Sequence, residues 1–130
     1  MIELKPTILI VEDDEDLRFI LESIFQNHNF HTFVAANGLE AYEISLVQNL
    51  DAILSDVKMP EMDGVALLKK VRERNKKIPV IFLLTGFADV TESEAMALGA
   101  NGMLAKPFSG EMVVQTVENA IKKSKLQKAA

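Results

Sequence analysis

Ile8-Leu9-Ile10-Val11-Glu12-Asp13-Asp14 decides the fold. Four apolar residues in a row, three of them β-branched, fit a short strand buried on both faces. The abrupt change to acids marks the strand's end and a helix start, since carboxylates are favoured at a helix N-terminus. Leu17, Ile20, Leu21 and Ile24 then recur at helical spacing. The same alternation repeats outward along the chain. His31 to Ala36 reads as a weaker strand at an edge, and Asn37-Gly38-Leu39-Glu40 as a capping box opening a helix. Ala52-Ile53-Leu54 is a third strand, ending in Ser55-Asp56. Met59 to Gly64 is a loop punctuated by Pro and Gly. Val65 to Arg74 is a helix carrying Leu67, Leu68 and Val71.

Pro79 opens the most apolar strand, Val80 to Leu84. Asp89-Val90-Thr91-Glu92 predicts a second capping box, for a helix that stops near Gly99. Gly102 to Ala105 is a fifth strand, ended by Lys106-Pro107. Ser109 caps a last helix with Val113, Val117 and Ile121 on one face. The polar, basic stretch from Lys122 to Ala130 is expected to fray, which divides the chain into a domain at 1–123 and a tail at 124–130. Five strands alternating with five helices predict a doubly wound α/β domain, its five-stranded parallel sheet flanked by helices on both faces.

Composition removes other classes. A chain of 130 residues is about one domain. Without cysteine it has no disulfide scaffold, thiolate metal site or cysteine nucleophile. Its longest purely apolar run, Val80 to Leu84, excludes membrane insertion through a spanning helix. No signal sequence is visible, so a cytoplasmic protein is expected. The net charge of −5 hides an asymmetry: residues 1–57 carry −9 and residues 58–130 carry +4. An acidic chain without a broad basic surface argues against direct nucleic-acid binding.

In an open parallel sheet, ligands bind beyond the carboxyl ends of the strands. Those ends hold Glu12 and Asp13, Asp56, Thr85 and Lys106. Clustered carboxylates repel unless a cation joins them. Mg2+ suits oxygen ligands and takes one or two carboxylates with waters and a phosphate. A carboxylate beside Mg2+ can attack phosphorus to form an aspartyl phosphate. Lys106, the Thr85 hydroxyl and backbone N–H groups after Asp56 could then share the phosphoryl oxygens.

Four segments, in this order and spacing, resemble the receiver domain of two-component response regulators. They are Ile8 to Asp14, Asp56 to Gly64, Leu84-Thr85-Gly86 and Gly99 to Phe108. The resemblance covers residues 6–123 and is closest to single-domain, chemotaxis-type regulators. It implies a flavodoxin-like sheet of order 2-1-3-4-5. It also implies that Asp56 is the phosphoacceptor, with Thr85 the switch hydroxyl and Lys106 the phosphate-pairing lysine. Glu12, Asp13, Asp56 and the backbone carbonyl of Lys58 would hold Mg2+. The Lys106–Pro107 bond is expected to be cis. A sensor histidine kinase or phosphotransfer protein would supply the phosphoryl group, and an unknown downstream protein would receive the signal. The chain would act as a monomer or a phosphorylation-dependent dimer, with no enzymatic activity beyond its own phosphorylation and dephosphorylation. With 130 residues filled by the receiver, the response is expected to pass to another protein.

Two positions depart from the family's pattern. Met103 stands where an aromatic switch residue is usual, which predicts a muted change on the face of the fourth helix, fifth strand and fifth helix. Lys58 and Phe87 flank the path of attacking water and could slow hydrolysis. The alternative function is a receiver-like interaction module that is not phosphorylated in its cellular role. A phosphatase of the haloacid dehalogenase type would need an Asp-x-Asp-x-Thr first strand and a cap, and Val11 to Glu15 lacks that pattern. His28 and His31, despite metal-like spacing, read as surface loop residues. The basic run Lys69 to Lys77 reads as a solvated helix end, with a docking patch as the alternative.

Overall fold

The computed structural model describes residues 5–86 and 90–129. The strands are β1 (Thr7–Val11), β2 (His31–Ala35), β3 (Ala52–Asp56), β4 (Val80–Thr85) and β5 (Gly102–Ala105). Between and after them run α1 (Glu15–Asn27), α2 (Gly38–Val47), α3 (Gly64–Arg74), α4 (Glu92–Ala97) and α5 (Gly110–Ala129). All pairings are parallel, in the order β2-β1-β3-β4-β5. This is the doubly wound, flavodoxin-like arrangement expected.

The apolar runs explain the two layers. Successive side chains of a strand point to opposite faces. Ile8 and Ile10 therefore meet Leu21 and Phe25 of α1 and Val113 and Val117 of α5 on one side. Leu9 and Val11 meet Ala41 of α2, Leu67 and Leu68 of α3 and Ala95 of α4 on the other. Order in the sheet follows: β1, β3 and β4 are covered on both faces, and β2 is left at an edge with partly exposed residues.

Several expectations need correction. Ile20 is 50% exposed, and Phe25 takes the core position instead. At 3.6 residues per turn Ile20 lies about 100° round the helix from Leu21, outside the buried arc. The cap of α4 is Thr91, whose hydroxyl accepts from Glu94 N while the Glu94 carboxylate accepts from Thr91 N. The box thus sits two residues after the one predicted, and Asp89 and Phe87 lie outside the described residues. Asn37 does cap α2, but Glu40 reaches back to Ala36 N and not to Asn37 N. The helix α5 continues to Ala129 where fraying was expected, because no Pro or Gly interrupts it after Gly110. The basic run is not wholly solvated: Arg72 is buried, 7% exposed.

Two helix ends share one device. After α1, Asn29 takes a left-handed φ of 69°, Phe30 N bonds Phe25 O at 3.1 Å and Asn29 N bonds Gln26 O at 3.1 Å. The Phe25 and Phe30 rings then meet edge-to-face at 5.0 Å, the apolar contact that accompanies this cap. After α4, Gly99 at φ 110° does the same, with Ala100 N on Ala95 O at 3.0 Å.

Candidate functional site

Strand ends build the site. Glu12 closes β1 and is 1% exposed, its backbone N–H donating to Ala35 O of the neighbouring strand. Its Oε2 accepts from Asp14 N at 3.1 Å. Asp14 in turn caps α1 by accepting from Leu17 N. Arg18, one helical turn on, donates to the Glu12 carbonyl at 2.8 Å and holds the acidic turn against the sheet. Arg18 is the lone base between Lys5 and residue 57, a signal legible in the sequence itself.

Asp56 ends β3. Its Oδ1 accepts from Val57 N at 2.9 Å. Gly64, at the start of α3, lies so close that a Cβ there would stand 2.2 Å from the Asp56 carbonyl oxygen. Gly64 N also donates to Val57 O at 2.9 Å, which folds the 57–63 loop back over the strand end. Lys106, just beyond β5, spans the mouth of the site. Its Nζ lies 3.2 Å from Asp56 Oδ2 and 3.3 Å from Glu12 Oε1. The Lys106–Pro107 bond is cis, as expected, and Ile78–Pro79 is cis as well.

Carboxylate oxygens of Glu12, Asp13 and Asp56 lie within 4.8 Å of one another, the one such cluster among the described residues. The donor set is all oxygen and anionic, which fits a hard divalent cation. Neither His28 nor His31 joins it; His28 Nδ1 lies 2.9 Å from the Ile24 carbonyl. Thr85 ends β4 with its hydroxyl buried and, among the described residues, without a hydrogen-bond partner. A buried polar atom left unpaired is uncommon and costly. Met103 is half-buried and packs with the layer that holds Ala95 and Ala100, its N–H donating to the Glu92 carboxylate. Lys58 is exposed on the loop after β3.

Burial dominates the electrostatics. It pushes the Glu12 carboxyl up to about 7, with Asp56 adding to the rise while the Asp14 N–H and Lys106 oppose it. Burial works against the Lys106 ammonium too, but Glu12 and Asp56 together outweigh it and hold its pKa above that of an ordinary lysine.

A doubly wound parallel sheet defines the class: a flavodoxin-like domain, with an acidic cluster that could hold a metal ion and a lysine beside it at the carboxyl edge of the strands. The family model of the response regulator receiver domain matches residues 8–118, and the chain belongs to that family. It is 35% identical over 117 residues to the transcriptional regulatory protein SrrA of Staphylococcus aureus (strain NCTC 8325 / PS 47), covering 90% of this chain and 48% of that protein. The chain thus spans about half the length of the curated relatives it matches. Among solved structures it resembles the receiver domain of the Francisella response regulator 1452 (TM-score 0.85, 30% identity, covering 92% of this chain and 99% of that one). It likewise resembles the chemotaxis response regulator CheY4 of Vibrio cholerae (TM-score 0.82, 31% identity, 90% and 99%). No helix among the described residues is long and apolar enough to cross a membrane.

Proposed function

We propose that this receiver domain accepts a phosphoryl group on Asp56 from the phosphohistidine of a sensor histidine kinase or phosphotransfer protein. The observation that carries this reading is the convergence of an acidic triad, a shared lysine and an unpaired buried hydroxyl on one strand edge. A carboxylate oxygen of Asp56 attacks phosphorus, an O–P bond forms, and the P–N bond to the donor imidazole breaks. Glu12, Asp13, Asp56 and the Lys58 backbone carbonyl would hold Mg2+, which when bound neutralises the carboxylates and the incoming phosphoryl oxygens.

The chain's own groups do the rest. Lys106 exchanges its bond to Asp56 for one to a phosphoryl oxygen, keeping the charge paired. The Thr85 hydroxyl, unpaired before transfer, donates to a second oxygen. Val57 N is already aimed at the reacting carboxylate, and no reorganisation is needed there. The gain of a partner for Thr85 draws the end of β4 toward the site and alters the neighbouring surface of α4 and β5, which a downstream protein reads.

Incubation with acetyl phosphate and Mg2+, followed by intact-mass measurement, tests this. One added phosphoryl group is expected, absent in Asp56→Asn and without Mg2+. No gain from acetyl phosphate or from a cognate kinase would leave a receiver-like interaction module that is not phosphorylated.

A further inference from the structure

A second feature lies far from Asp56, near the opposite edge of the sheet. The C-terminal half of α5 faces the turn after α4 and the 75–79 loop across an open cleft of about 550 Å³. Its floor is Phe82, Ala100 and Ala120, and its rim carries Lys76, Lys77 and Lys123. Among the described residues no acidic one lines it, in a chain whose net charge is −5. The three lysines are exposed, and among the described residues none of them has an ion-pair partner. Much of the α5 wall, from Asn119 to Gln127, lies beyond the family-matched residues 8–118.

Arg72 adds the second observation. It is 7% exposed and lines the same cleft. Its Nε donates to Gly99 O at 2.8 Å, one terminal nitrogen to Asn101 Oδ1 at 3.3 Å and the other to Asn75 O at 3.4 Å. All three acceptors are neutral. Each guanidinium nitrogen has an acceptor, but buried charges are ordinarily paired with an opposite charge, so the charge itself remains to be met. Burial lowers its pKa to about 10, which still leaves it cationic at neutral pH. Gly99 makes the approach possible: a Cβ there would stand 2.7 Å from Arg72 Cγ.

We propose that this cleft binds a nucleoside polyphosphate, its phosphates held by Arg72, Lys76, Lys77 and Lys123 and its base laid on Phe82, Ala100 and Ala120. A cleft of this size with an apolar floor and a few convergent polar groups suits a ligand of nucleotide dimensions. Concavity favours a small molecule over a flat macromolecular surface. The site is separate from Asp56 and stands whether or not Asp56 is phosphorylated.

Calorimetric titration of the full chain in EDTA with ATP, tripolyphosphate and adenosine tests it. One saturable ATP site is expected, with tripolyphosphate and adenosine each about tenfold weaker or more. Lys76→Gln with Lys77→Gln should weaken ATP about tenfold, the loss of charge-assisted bonds. Ala120→Leu, which fills the floor and keeps the charges, should weaken it as much, and Asp56→Asn should leave it unchanged. Four results would overturn the proposal. They are no saturable ATP binding up to about 5 mM, tripolyphosphate binding as tightly as ATP, ATP binding that survives both cleft variants, and ATP binding lost in Asp56→Asn.

Discussion

Single groups in the site are kept in states that cost stability. Thr85 holds a buried hydroxyl with no partner among the described residues, and an unsatisfied buried polar atom costs about 1–3 kcal/mol. Thr85→Val has the same shape without the hydroxyl. It should stabilise the metal-free protein by about 1 kcal/mol in urea unfolding, whereas a hydroxyl bonded in the resting state would make the same variant less stable. Glu12 stores a different cost. Its carboxyl is raised by burial from the ordinary 4.5 to about 7, so the folded chain binds that proton more tightly than the unfolded chain. The resulting stability is fully present below pH 4.5 and is lost as pH rises through about 7. In EDTA, the Tm of the wild-type chain should therefore fall between pH 6 and pH 8, and Glu12→Gln should flatten that slope. An unchanged slope in Glu12→Gln would place the titration elsewhere.

At the scale of elements, the β3–α3 connection leaves little room for change. Gly64 leaves no room for a Cβ against the Asp56 carbonyl, and Gly38 at the start of α2 stands 2.9 Å, N to O, from Met62 of the same loop. The loop is clamped from both helices. Gly64→Ala must displace backbone, since the nearest atoms are main chain, and should cost about 2 kcal/mol or more of stability. Because the displaced atoms belong to Asp56, phosphorylation from acetyl phosphate should slow in the same variant. Chemical denaturation and the mass assay read the two effects separately. Full stability in Gly64→Ala would show that α3 can slide away from the strand end.

At the scale of the whole molecule, the sheet divides two chemistries. Acids and Lys106 meet at the carboxyl edge of the strands, and Arg72, Lys76, Lys77 and Lys123 gather round a cleft away from it. Between them lies the face of α4, β5 and α5. Met103 on β5 is half-buried there, in place of the aromatic ring usual in the family. A flexible thioether can repack in many ways. Phosphorylation of Asp56 should consequently shift backbone NMR signals more strongly around Asp56 and Thr85 than across α4, β5 and α5. Met103→Tyr should enlarge the response of that face, and equal shifts in the wild-type chain would refute the muted switch.

The sequence by itself determined most of this protein. Continuous apolar runs such as Ile8 to Val11, short and rich in β-branched residues, read as strands covered on both faces, and their alternation with helices implied a parallel sheet. That topology alone names the strand ends, so the clustering of Glu12, Asp13 and Asp56 with Lys106 was legible from spacing. Local signals failed where neighbours in space decided the outcome. Ile20 lost its core position to Phe25 because the burial arc depends on where α1 rests. The cap of α4 moved to Thr91 because Glu94, one turn on, completes the reciprocal bonds. Arg72 looked like one more surface cation in a basic run. Only the tertiary structure brings it to Gly99 and Asn101, which lie 27 and 29 positions away along the chain. The unpaired Thr85 hydroxyl is of the same kind: whether a hydroxyl finds a partner depends on contacts across the fold, which no spacing along one strand encodes.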